Sequence, residues 1–252
     1  MDFRGQRVAG GVRPATVNKQ LREIRSALSY AVDANLLKAN PLLRWRSLLL
    51  KEPDRVIRVV EPDEFKKLLG ACGNPILRMA LILGYHQGMR RGELVNLRWE
   101  SVNLAGGVLG VVNLPEAEEL TKSRRNRALP MHPDVVAALG QALQAAPKKI
   151  ENGQAVPAWP YVLAWLDGGR IKRDWLTRHF DLLVKKAGIA HATLHDLRRS
   201  FSTIAQRAGV DKAIVQLLGG WSDVRVIERS YTGDLSGVMR AAMDKIARAE
   251  AV

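Results

Sequence analysis

The sequence predicts a mainly α-helical protein with a small antiparallel β-sheet, an α+β fold. Apolar residues recur every three or four positions through most of the chain, as they do on one face of a helix. Two short runs at 108–112 and 127–130 have instead the composition typical of strands. The length of 252 residues allows one large domain or two ordinary ones.

The first sixty residues contain one clear helix, expected to begin near Pro14 and to end before Pro41. Its apolar stripe is formed by Val17, Leu21, Ile24, Leu28 and Ala31. The opposite face carries three basic residues, Lys19, Arg22 and Arg25. One such helix is too short to complete a core by itself. We therefore expect residues 1–50 to be a partial helical domain, followed by a linker at 51–60.

Helical signals become dense from residue 61 onward. A helix is expected at 62–71, and Asn74-Pro75 predicts the start of a second helix that ends at residue 84 or 85. Further helices are expected at about 91–98, 133–145, 173–187, 195–208, 211–218, 223–231 and 235–249. We expect these elements to form one domain at 61–233 with a C-terminal helix at 234–252.

The charge of the chain indicates a polyanionic partner. There are 39 Lys and Arg against 25 Asp and Glu, which leaves a formal net charge of +14. Half of this excess lies in residues 1–60, where 12 basic residues face 5 acidic ones. Nucleic acid fits such a balance best, ahead of an anionic membrane. The content of 47% hydrophobic residues excludes a basic disordered tail.

The cysteine content and the hydropathy of the sequence predict the cellular compartment. Cys72 is the single cysteine, so it cannot form an internal disulfide, and a reducing cytoplasm is expected. No apolar run approaches the roughly 20 residues of a membrane span, and the first residues lack the apolar core of a signal peptide. We therefore expect a cytoplasmic protein with no membrane association.

Two segments place arginine at helix starts or on helix faces. Arg90 lies at a Gly-punctuated turn, 88–94, that leads into a helix, where its guanidinium and the helix N-terminus can share an anion. His195 and Arg198 are three positions apart and so lie on one helical face, within reach of one phosphate. Each segment alone is also compatible with an ordinary helix surface.

Two further segments add a lysine and a phenol. Lys122 precedes three arginines in what resembles the basic turn of a hairpin, although a solvated loop would have the same composition. Trp221 and Tyr231 flank a short helical stretch, and either aromatic residue could simply fill the core.

In this order and spacing the four segments closely resemble the motifs of the tyrosine recombinase or phage integrase family. The resemblance covers residues 61–233, with a weaker match at 14–60. The segments that carry it are 88–99, 121–130, 195–201 and 217–231. One departure is Trp221, which stands where most members have histidine. Its indole donates one N–H and accepts no proton, so this residue cannot act as a base.

The resemblance implies a site-specific DNA recombinase that breaks and rejoins strands through a covalent 3′-phosphotyrosyl intermediate on Tyr231. Such an enzyme would integrate or excise phage or other mobile-element DNA in the nucleoid of a bacterial host. Attack on an anionic phosphodiester requires cations, the role implied for Arg90 and Arg198. His195 would accept or orient a proton, and Lys122 would protonate the leaving 5′ oxygen.

The remaining roles are also implied by the resemblance. Trp221 would donate a hydrogen bond, and Glu93 would support the site by holding His195 or Arg90. Contacts with double-stranded DNA are expected from Lys19, Arg22, Arg25, Arg124 and Arg125. The chemistry needs neither a metal nor another cofactor. A homotetramer on DNA is expected, and an accessory DNA-bending protein would be compatible with it.

Several alternatives stay open at the level of sequence. The protein could be a DNA-binding relative that has lost its chemistry, or an enzyme that relaxes DNA as type IB topoisomerases do. The C-terminal helix has an apolar face that must be covered, either by exchange between protomers or by folding back onto its own domain. The N-terminal segment is shorter than the core-binding domain that usually precedes the catalytic domain, so we expect a partial core-binding segment.

Overall fold

A computed structural model describes residues 3–53, 58–112, 126–220 and 236–250. The chain divides into two units, residues 1–56 and 57–252. Most of the described residues are helical, and a small antiparallel sheet accompanies the helices. This arrangement confirms the predicted fold class.

The first unit is built on one long helix. Helix α2 (Pro14–Asp33) follows a short helix that the sequence did not predict, α1 (Phe3–Ala9), and precedes a 3-10 turn at Trp45–Leu48. Val17 and Leu21 of the predicted stripe are buried, whereas Ile24 is exposed. The helix itself is therefore as predicted, but only the first part of its stripe is covered.

Both ends of the predicted linker are held by the units that they adjoin. Asn18 of α2 is buried, and its side-chain amide donates to the Leu50 carbonyl and to the Glu52 carboxylate, both at 2.9 Å. Val60 is fully buried in the second unit, where its N–H donates to Ser200 Oγ at 2.7 Å. The division between the two units falls within 51–60, and the linker over this range stays a prediction. Its two ends contact side chains that are distant in sequence.

The helices of the second unit begin and end close to the predicted positions. They are α3 (Pro62–Ala71), α4 (Pro75–His86), α5 (Arg91–Asn96), α6 (Pro133–Ala145), α7 (Arg173–Lys186), α8 (Leu194–Arg207), α9 (Lys212–Gly219) and α10 (Ser236–Glu250). The helix expected at 223–231 lies outside the described residues. Among the residues described, no helix has both the length and the apolar character needed to cross a membrane.

The helix starts follow from local chemistry. Asn74 caps α4 by accepting the Leu77 N–H at 2.9 Å, and Pro75 occupies the first helical position. Asp211 caps α9 in the same way, with its carboxylate accepting the Ala213 N–H at 2.8 Å. These residues mark the helix boundaries directly in the sequence.

The predicted sheet consists of three antiparallel strands in the order β1-β2-β3: β1 (Val102–Asn103), β2 (Val108–Val111) and β3 (Arg127–Pro130). The register pairs Val108 with Pro130 and Val111 with Arg127. A second hairpin, β4 (Lys148–Glu151) with β5 (Gln154–Pro157), was not predicted. Its turn residues Asn152 and Gly153 both have positive φ, the arrangement that an Asn-Gly pair favours in a tight hairpin.

Helix α4 lies at the centre of the second unit and packs against α6 and α8. Leu81 and Leu83 of α4 and Leu197 and Phe201 of α8 are all buried in this core. The two helices pack closely at Gly84, where a Cβ would be in van der Waals contact with Leu197 Cδ1, at 3.4 Å. The packing brings the end of α4 beside α8.

Helix α10 packs on its own domain, against α8, α9 and β3. Ala242, Met243 and Ile246 of its apolar face are buried. Within this chain the helix therefore lies against its own domain, and its exchange between protomers stays a prediction.

Replacement of Ile246 by alanine should lower the free energy of unfolding by about 2–5 kcal/mol, because the side chain is fully buried. The matched control is Val238→Ala on the same helix, where the side chain is exposed and the change should stay near 0.5 kcal/mol. Urea denaturation followed by tryptophan fluorescence measures both. Equal losses for the two variants would contradict the packing of α10.

Candidate active site

The loop between α4 and α5 presents Arg90. Gly88 in this loop has a φ of +62°, and a Cβ there would lie 2.6 Å from Phe201 Cδ1. Glycine is therefore required both for the backbone conformation and for the contact with α8. Arg90 precedes the first residue of α5, and its N–H donates to Glu93 Oε2 at 2.8 Å. The turn and the helix start together fix the direction of the Arg90 side chain.

A buried carboxylate, that of Glu93, holds two arginines from different elements. Arg90 Nη1 donates to Glu93 Oε1 at 2.8 Å. Arg127 of β3 binds the same carboxylate with two N–H groups, at 3.1 Å and 2.9 Å. Burial would raise the pKa of Glu93, but the hydrogen bonds and charges of Arg127 and Arg90 lower it overall. Glu93 is therefore ionised, and of the two partners expected for it the structure shows Arg90.

Arg198 reaches the same loop from α8. Its guanidinium is almost completely buried, and Nη1 donates to the Gly88 carbonyl at 2.5 Å. Loss of water and the positive charge of Arg90 lower the pKa of Arg198 to about 9. Its side chain remains charged at neutral pH. Arg198 and the loop that carries Arg90 thus hold each other in place.

His195 lies in the first turn of α8, one turn before Arg198. The helix start is fixed by Thr193 and Asp196, since the Thr193 N–H and hydroxyl both donate to Asp196 Oδ2, at 2.9 Å and 2.7 Å. Partial loss of water and the charges of Arg199 and Arg198 lower the pKa of His195. The imidazole is therefore neutral at pH 7 and able to accept a proton.

Arg90, His195 and Arg198 line one open cleft of about 440 Å³. The structure thus brings together three of the six residues predicted to be catalytic. A neighbouring depression shares Arg91 and Arg173 with this cleft. Its lining also includes Arg170, Lys172 and Asp174. The basic surface therefore extends beyond the predicted residues.

Gly220 closes one side of the arginine group. Its carbonyl accepts a hydrogen bond from Arg90 Nη2, and its φ of +65° ends α9 in the left-handed conformation. The positive φ favours glycine, and a Cβ at Gly220 would lie 2.7 Å from Arg127 Cζ, which would displace this guanidinium. The close approach places the end of α9 directly beside Arg90 and Arg127.

The other predicted residues are not part of this group as described. Lys122, Arg124, Arg125, Trp221 and Tyr231 lie outside the described residues. Lys19, Arg22 and Arg25 belong to the first unit. There Lys19 pairs with Glu23 at 3.6 Å, Arg22 pairs with Glu52 at 3.7 Å, and Arg25 lies over the Trp45 ring, 5.4 Å from its centroid.

Arg127 is the site residue that the sequence reasoning missed. The sequence did contain a signal, because Arg127 and Leu129 alternate along β3 and so point to the same face of the sheet. Leu129 is buried, and a cation on the face of a buried leucine requires a buried partner. Arg91 and Arg173, which also line the cleft, carried no comparable signal.

Replacement of Glu93 by glutamine should lower the free energy of unfolding by about 3 kcal/mol, because it leaves two partly buried guanidinium groups without their carboxylate. Glu100→Gln is the control: Glu100 is exposed and lies 3.8 Å from Arg98, so its loss should cost less than about 1 kcal/mol. Urea denaturation provides the comparison. Similar values for both variants would show that Glu93 does not stabilise the arginine group.

Comparison with known proteins identifies the domain that contains this cleft. The model of the phage integrase family matches residues 58–236. The integrase of Salmonella phage P22 is 27% identical over 201 residues, which cover 73% of this chain and 48% of that protein. Tyrosine recombinase XerC of Vibrio vulnificus strain YJ016 is 27% identical over 221 residues, covering 85% of this chain and 65% of XerC. The chain thus spans about half to two thirds of the length of these relatives.

Solved structures show the same fold. The Tn1549 transposon integrase in complex with transposon right end DNA aligns with a TM-score of 0.69 at 20% identity, covering 96% of this chain and 82% of that one. A lambda integrase dimer bound to a COC′ core site aligns with a TM-score of 0.66 at 16% identity, covering 91% and 79%. Together with the family model, which covers more than half of the sequence, these likenesses show that the chain belongs to the phage integrase family.

Proposed function

We propose that this protein is a tyrosine-type, site-specific DNA recombinase that cuts and rejoins strands through a 3′-phosphotyrosyl intermediate on Tyr231. Its substrates would be phage or other mobile-element DNA, which it would integrate or excise. The observation that carries the proposal is the group of Arg90, Arg127 and Arg198 around Glu93, beside a cleft that also contains His195.

The charge of this group supports an anionic ligand. Three guanidinium groups against one carboxylate leave a net charge of +2 within it. Burying uncompensated charge is costly, and an anion in the cleft would offset part of that cost. A phosphodiester carries one negative charge and gains a second as the nucleophile attacks, so Arg90 and Arg198 in the cleft would stabilise the transition state more than the substrate.

In the proposed cleavage step the phosphoryl group passes from the 5′ oxygen of DNA to Tyr231. The phenolic oxygen of Tyr231 attacks phosphorus, and the bond from phosphorus to the 5′ oxygen breaks. His195, neutral because of its lowered pKa, accepts the phenolic proton. Lys122 delivers a proton to the departing 5′ oxygen, and Trp221 donates a hydrogen bond to a phosphate oxygen. Attack by a 5′ hydroxyl on the phosphotyrosyl bond then reverses these transfers and rejoins the strand.

Double-stranded DNA is the proposed partner along the rest of the basic surface. Arg91, Arg170, Lys172 and Arg173 surround the depression beside the cleft, where they could contact phosphates that flank the cut. Lys19, Arg22, Arg25, Arg124 and Arg125 are the further proposed contacts. The relatives support this assignment, since the Tn1549 and lambda integrase structures are complexes with DNA.

The two parts of the chain have different proposed roles on DNA. Residues 1–50 would contribute to binding of the DNA core site and residues 61–233 would carry the chemistry. Exchange of strands between two duplexes needs several active sites, so a homotetramer on DNA is proposed, with an accessory DNA-bending protein as a compatible partner. The bacterial nucleoid is the corresponding location.

Covalent capture of DNA tests the proposal. The protein would be incubated with nicked duplexes of random sequence, which trap a cleaved product by releasing a short fragment with the 5′ hydroxyl. We expect adducts that survive denaturing gels, and sequencing of the trapped DNA would identify the recognition site. Tyr231→Phe should abolish the adduct while leaving DNA affinity within about twofold, because only the nucleophile is lost.

The Tyr231→Phe variant also separates the alternatives. Adducts that persist in this variant would show that another residue attacks. Binding without adducts for the unaltered protein would instead favour a DNA-binding relative that has lost its chemistry. Adducts with no sequence preference would favour topoisomerase-like relaxation.

The pH dependence of cleavage tests the assignment of His195. Because its pKa is lowered, the imidazole stays neutral as the pH falls through 6.5, the ordinary value for histidine. The single-turnover rate on a captured DNA site should therefore hold its plateau from pH 8 to 6.5 and decline only below that value. A rate that falls to half of its plateau at a pH above 6.5 would contradict the lowered pKa, provided that His195→Gln does not show the same fall.

A further inference from the structure

The last residue of α10 carries a carboxylate into the interior of the second unit. Glu250 Oε2 lies 2.7 Å from His86 Nδ1 and 3.1 Å from His132 Nε2, and all three side chains are more than nine-tenths buried. The two imidazole rings stack with their centroids 4.4 Å apart, and Phe65 packs edge-on against His86. The two histidines thus form a socket for the Glu250 carboxylate, which we call the histidine socket.

The protonation state of His132 follows from its second nitrogen. His132 precedes α6 and its Nδ1 accepts the Asp134 N–H at 3.2 Å, so Nδ1 carries no proton. The proton of this ring therefore belongs on Nε2, which lies 3.1 Å from Glu250 Oε2. Burial alone would raise the pKa of Glu250, but its interactions with His132 and His86 lower it overall, which keeps the carboxylate ionised.

A metal ion fits the histidine socket less well. Histidine that binds a metal through one nitrogen normally donates the other N–H to an acceptor. His132 Nδ1 faces a backbone donor instead, and the separation of 2.7 Å between His86 Nδ1 and Glu250 Oε2 is that of a hydrogen bond. The chemistry therefore favours a carboxylate that is hydrogen-bonded to His86 and lies in close contact with His132 Nε2, at 3.1 Å.

The histidine socket is continuous with the loop that carries Arg90. His86 ends α4, and the next residue, Gln87, is buried and bridges two elements. Its Nε2 donates to the Pro130 carbonyl at 2.8 Å, and its Oε1 accepts the His132 N–H at 3.2 Å. Gly88 follows, and its carbonyl is the acceptor for Arg198.

We propose that Glu250 is a positioning residue: by docking into the histidine socket it fixes the loop 86–90 and, through it, the placement of Arg90 and Arg198. This inference rests on the proposed function of those arginines and extends it to the C-terminal helix. Seating of α10 and competence of the active site are then one event, because the same loop serves both. A protein whose α10 has left the socket holds its arginines less well and cleaves more slowly.

Glu250→Gln tests the proposal, with Asp244→Asn as its matched control. Both changes remove one carboxylate charge from α10, but the Asp244 side chain is exposed and is not part of the histidine socket. Amide hydrogen exchange of the full chain without DNA should show faster exchange at the end of α10 and at 87–92 in Glu250→Gln, and no change in Asp244→Asn. Faster exchange confined to α10 would overturn the proposal.

Cleavage of a captured DNA site provides the second readout. Glu250→Gln should lower the single-turnover rate by about tenfold with DNA affinity within about twofold, as expected when catalytic groups are displaced slightly. Glu250→Asp, which keeps the charge, should recover part of the rate. Loosened exchange with an unchanged rate would overturn the role in positioning. Hydrogen exchange does not depend on activity. If the protein proved not to cleave DNA, the exchange experiment would therefore still test whether Glu250 fixes the loop 86–90.

A third measurement addresses the metal. The melting temperature of the unaltered protein should be the same with and without a chelator, and added Zn²⁺ should not raise it. A melting temperature that falls on chelation would overturn the proton-mediated socket. If Glu250→Gln failed to fold, the same exchange comparison would be made on His86→Gln, which leaves α10 unaltered and removes one side of the histidine socket.

Discussion

Glu93 ties together the two ends of the candidate site, because its carboxylate binds Arg90 at the start of α5 and Arg127 at the start of β3. These arginines are 37 positions apart in sequence, and nothing local would hold them together against their mutual repulsion. The buried carboxylate offsets that repulsion without cancelling it. The excess positive charge left beside the cleft is what makes the site suited to a phosphate.

Helix α8 supplies the second half of the site as a rigid support. Its capping residues, Thr193 and Asp196, define where the helix begins, and the helical repeat then sets His195 and Arg198 one turn apart. Further along, Ser200 Oγ accepts a hydrogen bond from the Val60 N–H, and Phe201 packs against Gly88. The helix therefore positions catalytic candidates and anchors both the entry of the chain and the arginine loop.

The C-terminal helix packs on the same elements that hold the arginines. Its apolar face is covered by α8, α9 and β3, and its terminal carboxylate reaches the histidine socket at the end of α4. Elements that hold the arginines are thus the same elements that receive α10.

The sequence by itself determined helices α2 to α10, the approximate positions of their ends, and three residues of the cleft. Proline and capping residues such as Asn74 act within one turn, so helix starts can be read locally. His195 and Arg198 could be paired because a helix has a fixed repeat. The hairpin at 148–157 was also within reach, since Asn152-Gly153 is a strong local turn signal.

Only the tertiary structure decided which charges meet. The pairing of Glu93 with Arg127, the burial of Val60, and the docking of Glu250 between His86 and His132 all join residues that are far apart in sequence. Sequence spacing carries no information on such contacts, because they depend on how the helices and the sheet pack around α4. The residue type alone does not show whether a charged side chain is exposed to solvent or buried in an ion pair. That depends on how the core packs around it.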